Sequence, residues 1–113
     1  MFHNISVKDA LKLAYLKKAV LIDIRDFGAY KMGHLPTAFW MKEQEIEAFM
    51  KEKKEMLPIL YCEYGNASLS MARDFSARGY EVYSIVGGYR AYEGYVELQK
   101  GDIWTMEWKS SLR

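Results

Sequence analysis

The sequence predicts an α/β fold built around a mostly parallel sheet. Helical and strand-like patterns alternate along the chain, which is typical of βαβ units. The run at residues 20–24 is β-branched and almost continuously apolar, as expected for a strand covered on both faces. A second apolar run, at residues 59–61, leads through Cys62 and a turn-forming stretch into an amphipathic helical pattern. Because right-handed crossovers bring the carboxyl ends of parallel strands to one edge, Cys62 is predicted at that edge.

The remaining elements follow from hydrophobic periodicity and from capping signals. Strands are predicted at residues 2–5, 20–24, 38–40, 58–61 and 81–85. Helices are predicted between and after them, at residues 7–16, 26–31, 43–56, 69–78 and 89–98. Ser6 is expected to cap the first helix and Gly79 to end the fourth. The pattern of residues 101–113 indicates no particular structure.

Composition narrows the function classes. The 113 residues are expected to form a single domain, with 50% apolar and 27% charged residues and a net charge of +1. This balance predicts no nucleic-acid partner, and no apolar run approaches the ~18 residues that a membrane span needs. One cysteine forms no internal disulfide and the N-terminus has no secretory pattern, so a cytoplasmic location is expected. One cysteine and two distant histidines make no zinc cluster, so neither a metal nor another cofactor is expected.

The cysteine is predicted to be an accessible thiolate. A loop that closes onto a helix start points backbone N–H groups inward, where the helix dipole is positive. Lowering a thiol pKa of ~8.5 by about 2 units takes roughly 2.7 kcal/mol. Two amides at ~1.5–3 kcal/mol each supply that without any basic side chain. The alternative is an inert, buried cysteine that packs as a small hydrophobe. Gly65 and Asn66, followed by Ser68 as a helix cap, favour the reactive interpretation.

Four segments in order carry a family pattern. The strand at 20–24 runs into an Asp-x-Arg sequence, Asp23-Ile24-Arg25, and residues 30–38 are similar to Tyr-x-x-Gly-His-Ile-Pro-Gly-Ala. Cys62 opens a loop of six residues with Gly65 at its fourth place, and residues 86–92 resemble a closing Gly-Gly-Phe/Tyr-x-Ala-Trp. Over about residues 5–92 the chain therefore resembles a single-domain rhodanese (thiosulfate sulfurtransferase-like) protein.

That resemblance implies a rhodanese-like three-layer fold, with about five mostly parallel strands flanked by helices on both faces. It implies that Cys62 is catalytic: it takes a sulfane sulfur from thiosulfate or a low-molecular-weight persulfide and holds it as a persulfide. The acceptor is a thiol, cyanide or a protein. Loop backbone amides would bind the substrate, and they belong to Glu63, Tyr64, Gly65, Asn66, Ala67 and Ser68.

Three positions depart from the family pattern. Ala67 stands where many members have arginine, Glu63 where a basic residue is common, and Tyr92 where tryptophan is usual. Because thiosulfate carries two negative charges, Glu63 is expected to repel it and to favour a less charged persulfide.

Several polar residues have two interpretations. Asp23 and Arg25 either help to bind substrate or hydrogen-bond within the fold, and the structural role is the favoured one. Tyr64 is expected at an exposed loop apex, with aromatic packing as the alternative. Asn66 and Ser68 are expected to bond the loop backbone and cap the helix.

Two other functions compete with sulfur transfer. One is a non-catalytic interaction domain or a redox sensor that uses the cysteine as an oxidisable group. The other is a rhodanese-fold phosphatase or arsenate reductase, which has a seven-residue loop ending in an arginine that clamps an oxyanion. Ser68 occupies that seventh position here, which argues against the second alternative.

Overall fold

A single parallel sheet of five strands forms the centre of the molecule. The computed structural model describes the backbone of residues 1–111 and the side chains of residues 1–100. Neighbouring strands in the sheet follow the order β1-β5-β4-β2-β3, and every pair is parallel. The strands are β1 (Phe2–Ile5), β2 (Ala19–Asp23), β3 (Phe39–Trp40), β4 (Leu57–Tyr61) and β5 (Val82–Ile85).

Helices cover both faces of the sheet and confirm the predicted three-layer fold. They are α1 (Val7–Tyr15), α2 (Phe27–Met32), α3 (Glu43–Glu52), α4 (Asn66–Ala77) and α5 (Gly88–Ser111). One face packs against α1 and α5, and the other against α3 and α4. Within residues 1–111, none of these helices has the length and apolar character of a membrane span.

The two central strands show why the apolar runs predict buried elements. Leu21 and Ile59 point into the α1/α5 layer, whereas Ile22 and Leu60 point into the α3/α4 layer. All four side chains have no exposed surface. At about 1.5–3 kcal/mol for each large apolar side chain removed from water, this double burial fixes the register of β2 against β4.

The capping predictions for two helices are confirmed. The Asp9 backbone N–H donates to Ser6 Oγ over 3.1 Å at the start of α1. After α4, Gly79 has a left-handed φ of +98°, and its N–H donates to the Ser76 carbonyl over 2.9 Å. Glycine adopts this conformation without a steric penalty, so the helix stops there.

Three helix boundaries differ from the prediction by more than one residue. Helix α3 ends at Glu52 and not at residue 56, because Leu57 already pairs with Ala19 and its N–H donates to the Lys18 carbonyl. Helix α4 begins at Asn66 and not at residue 69. Helix α5 continues through the segment for which the sequence predicts no structure, as far as Ser111, and residues 112–113 lie outside the described chain.

Candidate active site

Glycine sets the geometry of the loop between β4 and α4. Cys62 follows the last residue of β4, and Gly65 has a left-handed φ of +104° just before α4 begins. A Cβ atom at Gly65 would lie 3.1 Å from the Gly87 nitrogen, so the backbone is close to the β5–α5 turn as well. This tight turn carries the chain directly from strand to helix, which is why α4 starts earlier than predicted.

The Cys62 sulfur lies inside the turn, against the first amides of α4. Its Sγ atom is 3.1 Å from the Gly65 nitrogen and 3.3 Å from the Ser68 nitrogen, and both N–H groups donate to it. The Ser68 hydroxyl oxygen is 3.4 Å from Sγ. These contacts give the sulfur the hydrogen-bond donors that a thiolate needs.

Ser68 has a different role from the predicted helix cap. Gly65 occupies the cap position, and Ser68 lies within the first turn of α4 with no exposed surface. Its hydroxyl group donates to the Gly65 carbonyl over 3.2 Å, which is the expected bond to the loop backbone, and the Ser84 hydroxyl lies 2.8 Å away. When Cys62 is a thiolate, the Ser68 hydroxyl can turn from this carbonyl to the sulfur and accept from Ser84 in turn. Ser84 was not found from the sequence, where its only signal is a small polar residue in an apolar strand.

The environment lowers the pKa of Cys62. Burial raises the pKa of the thiol, but hydrogen bonds from the Ser68 hydroxyl and from the amides of Ser68, Gly65 and Ala67 lower it further than burial raises it. The sulfur is less accessible than predicted, because Cys62 is only 7% exposed. Cys62 lines a pocket of about 580 Å³.

The start of α5 holds the loop from its other side. The Tyr89 and Arg90 backbone N–H groups donate to the carbonyls of Cys62 and Glu63 over 2.8 and 3.1 Å. Gly88 makes this approach feasible, since a Cβ atom there would lie 2.4 Å from the Cys62 carbonyl oxygen. With these carbonyls bonded to α5, the loop peptides keep the orientation in which later amides point at the sulfur.

Asp23 and Arg25 form a hydrogen-bonded pair next to the loop. Asp23 has no exposed surface and accepts from the Arg25 Nη2 group over 2.7 Å. The same guanidinium group donates to the Gly33 carbonyl over 2.7 Å and lies 4.0 Å from the centre of the Tyr89 ring. Its Nη1 atom donates to Glu63 Oε1 over 3.2 Å. These contacts fit the favoured structural interpretation, and Arg25 also lines the pocket.

The charge of Glu63 is balanced by two arginines. Oε1 accepts from Arg25, and Oε2 lies 3.1 Å from Arg90 Nε. The expectation that Glu63 repels thiosulfate treats it as an unpaired carboxylate, and the two ion pairs remove that basis. Arg90 was not found from the sequence because it lies far from Glu63 along the chain and meets it only through the contact of α5 with the loop.

The pocket joins the loop to the β2–α2 connection. Its lining residues are Ile24, Arg25, Asp26, Ala29, Cys62, Glu63, Tyr64, Asn66 and Ala67. Its volume is within the range of small-molecule sites. Among the described side chains, those of residues 1–100, no three of the His, Cys, Asp or Glu type come together as metal ligands.

Two loop residues point outward. Tyr64 is 66% exposed, as predicted for a loop apex, and Arg90 lies 5.7 Å from its ring centre. Asn66 is exposed at the first position of α4, and its side chain makes no hydrogen bond to any residue between 1 and 100. The predicted capping role of Asn66 is therefore wrong, because Gly65 forms the turn without a side-chain cap.

Comparison with known proteins agrees with this arrangement. The family model for the Rhodanese-like domain matches residues 6–95, most of the chain. The chain belongs to the rhodanese-like domain family. The matched region begins before α1 and ends within α5, so it includes the pocket and every residue that holds the Cys62 loop in this rhodanese-like domain.

Several solved structures have the same fold. The reduced CoADR-RHD protein of Bacillus anthracis has a TM-score of 0.68 and 20% identity over 80% of this chain, which spans only 16% of that protein. A Rhodopseudomonas palustris protein of unknown function, described as a possible tyrosine phosphatase, has a TM-score of 0.70 and 21% identity, covering 83% of this chain and 81% of its own. The human single-domain sulfurtransferase TSTD1 has a TM-score of 0.60 and 19% identity, covering 80% and 95%. At these identities the similarity shows the fold alone.

Proposed function

We propose that this rhodanese-like domain is a sulfurtransferase or sulfur carrier that holds a persulfide on Cys62. The observation that carries the proposal is the position of the sulfur, 3.1 Å and 3.3 Å from two donating amides, in a pocket of about 580 Å³. Donors arranged in advance around a sulfur stabilise a negative charge there, whether the anion is the thiolate or the terminal atom of a persulfide. This placement requires no base from a side chain.

The transfer takes two steps, and neither step needs an external oxidant or reductant. In the first, the Cys62 thiolate attacks the sulfane sulfur of a donor, and the sulfur–sulfur bond of the donor breaks. With thiosulfate the leaving group is sulfite, and with a low-molecular-weight persulfide it is the parent thiolate. In the second step, a thiol or cyanide attacks the terminal sulfur of the Cys62 persulfide, and the Cys62 thiolate leaves with the bonding electron pair.

The direct test is the intact mass of the protein after incubation with each donor. We expect Cys62 to gain the mass of one sulfur atom from a persulfide donor, and to lose it when cyanide is added with release of thiocyanate. The Cys62→Ser variant is the control for sulfur bound elsewhere. If the mass is unchanged with thiosulfate and with a persulfide, the proposed function is wrong.

The phosphatase alternative is suggested only by the description of the Rhodopseudomonas palustris protein, with which this chain shares the fold. A phosphatase of this fold needs an arginine at the seventh loop position to bind two oxygens of a tetrahedral oxyanion, and Ser68 occupies that position here. Arg25 lines the pocket, but its guanidinium group already bonds Asp23, Gly33 and Glu63. Hydrolysis of an aryl phosphate in parallel with the mass experiment separates the two functions.

The non-catalytic alternative predicts a different product. A redox sensor would carry oxygen on Cys62 after peroxide treatment, and the modified form would change a binding property of the domain. A sulfur carrier instead gains sulfur and returns it to an acceptor over repeated cycles. Turnover with a catalytic amount of protein therefore distinguishes transfer from a single oxidation event.

A further inference from the structure

The charged groups that line the pocket point to the class of sulfur donor. Only three charged side chains contribute to the described lining, namely those of Arg25, Asp26 and Glu63. A charged side chain that already forms an ion pair attracts a ligand only weakly, because its partner cancels most of its charge. The ion pairs of each residue therefore decide what net charge the pocket presents.

The Arg25 guanidinium group is engaged on nearly every side. It forms hydrogen bonds through Nε and Nη2 to the Asp23 carboxylate, through Nη2 to the Gly33 carbonyl, and through Nη1 to Glu63. Its side chain is only 7% exposed. The Tyr89 ring lies against it with 4.0 Å between the guanidinium carbon and the ring centre. Binding a dianion at Arg25 would mean competing with two carboxylates already in place.

The Glu63 carboxylate is also fully paired. Its two carboxylate oxygens are bound separately, Oε1 by Arg25 at 3.2 Å and Oε2 by Arg90 at 3.1 Å. The pair of arginines neutralises this carboxylate from two directions. Arg90 itself also binds Glu93 over 3.0 Å, so this network leaves no spare positive charge at the pocket.

Asp26 differs from both. It lines the pocket and is exposed, and it precedes α2 without forming the side-chain cap that an aspartate there often makes. Among residues 1–100 its carboxylate has no ion pair and no side-chain hydrogen bond. Asp26 is thus the one charged group of the described lining whose charge is not already matched.

We propose that Asp26 forms a subsite for the ammonium group of an amine-bearing, low-molecular-weight persulfide. This inference rests on the proposed function, because it names the donor class for the same thiol. The donor places its ammonium group at Asp26 while its sulfane sulfur meets the Cys62 thiolate. The new bond forms between Sγ and the terminal sulfur, the donor sulfur–sulfur bond breaks, and the donor thiolate leaves with the electron pair and takes a proton from water.

A matched pair of donors tests the subsite. Cysteamine persulfide and N-acetylcysteamine persulfide differ in the charge of one nitrogen, and the measured quantity is the rate at which Cys62 gains one sulfur atom. Because the two donors also differ in their leaving thiols, the quantity compared between proteins is the ratio of the amine-donor rate to the acetylated-donor rate. At low ionic strength we expect Asp26→Asn to lower this ratio about three- to fivefold, the upper part of the range for an exposed ion pair. Asp74→Asn, an exposed carboxylate of α4 outside the pocket lining, should keep it.

A second measurement does not depend on sulfur transfer. Aminoethyl methanethiosulfonate carries a positive charge and methyl methanethiosulfonate is neutral, and both modify the Cys62 thiolate. The ratio of their rates cancels any change in thiol pKa. We expect Asp26→Asn to lower this ratio about three- to fivefold at low ionic strength and Asp74→Asn to leave it unchanged.

The two measurements separate failure of the subsite from failure of the proposed function. If Asp26→Asn leaves the cation-to-neutral ratio unchanged, or if Asp74→Asn lowers it equally, the subsite is wrong. If the ratio falls as expected but neither persulfide adds sulfur to Cys62, Asp26 does bind a cation next to the thiol, and the sulfurtransferase proposal is the one that fails.

Discussion

Replacing Ser68 by alanine should raise the pKa of Cys62 while leaving the fold intact. The Ser68 hydroxyl is the strongest of the hydrogen-bonding groups that lower this pKa. Hydrogen bonds to a charged acceptor contribute roughly 1.5–3 kcal/mol, and 1.36 kcal/mol corresponds to about one pKa unit. The Sγ–Oγ separation of 3.4 Å is long, so the lower end applies and we expect an increase of about one unit.

The assay is the rate of Cys62 alkylation by iodoacetamide as a function of pH. Its inflection reports the thiol pKa, and the Ser68→Ala inflection should lie about one unit above that of the native chain. Ser70→Ala, an exposed serine of the same helix, is the matched control and should not move it. Ser84→Ala should produce a smaller increase, because it removes only the group that supports the Ser68 hydroxyl. An unchanged inflection in a folded Ser68→Ala protein would refute the hydroxyl as a thiolate donor.

Three further predictions test the loop and its surroundings. Gly88→Ala should raise the pH of the alkylation inflection and lower the free energy of unfolding by about 1–3 kcal/mol, because its Cβ atom would lie 2.4 Å from a loop carbonyl oxygen. Gly94→Ala is the control, because its Cβ atom would meet no atom within 4 Å. Glu63→Gln should lower the KM for thiosulfate severalfold at low ionic strength and change a neutral donor little, because it removes one negative charge and weakens the ion pairs of Arg25 Nη1 and Arg90 Nε. Equal effects on both donors would contradict this. Because folding lowers the pKa of Cys62, the stability of the native chain relative to Cys62→Ala should rise as pH increases from the folded to the unfolded pKa of this thiol, and fall as pH decreases. Denaturant titrations across that interval measure the difference in free energy of unfolding. A difference that does not depend on pH would contradict the lowered pKa.

The sequence was sufficient for the sheet because each strand carries its own signal. The apolar runs ending at Asp23 and Tyr61 are long enough to identify and are buried on both faces, so local composition and tertiary environment agree. The position of Cys62 followed from strand order at the carboxyl edge. Helix ends were harder to predict, because Gly65 starts α4 through a backbone conformation that periodicity does not report.

The contacts that tune the thiol could not be predicted in this way. Ser68 and Ser84 meet across two elements, and neither residue type by itself indicates a hydroxyl pair behind a sulfur. Arg90 reaches Glu63 only because α5 begins against the loop. Such pairings depend on the packing of distant elements, and a single sequence gives residue types without their distances.

Two helix starts act on the same loop, and their effects are complementary. The first turn of α4 directs amides at the Cys62 sulfur, whereas the first turn of α5 binds the Cys62 and Glu63 carbonyls. These two bonds fix the peptide units that carry the Glu63 and Tyr64 amides, and so fix the chain that leads into the turn where the next amide, that of Gly65, donates to the sulfur. The loop and the first turn of α4 therefore stabilise an anion with backbone amides and the Ser68 hydroxyl, while the neighbouring Arg25 and Arg90 are paired with carboxylates. Charge selection is left to the pocket lining beyond the loop, where Asp26 lies.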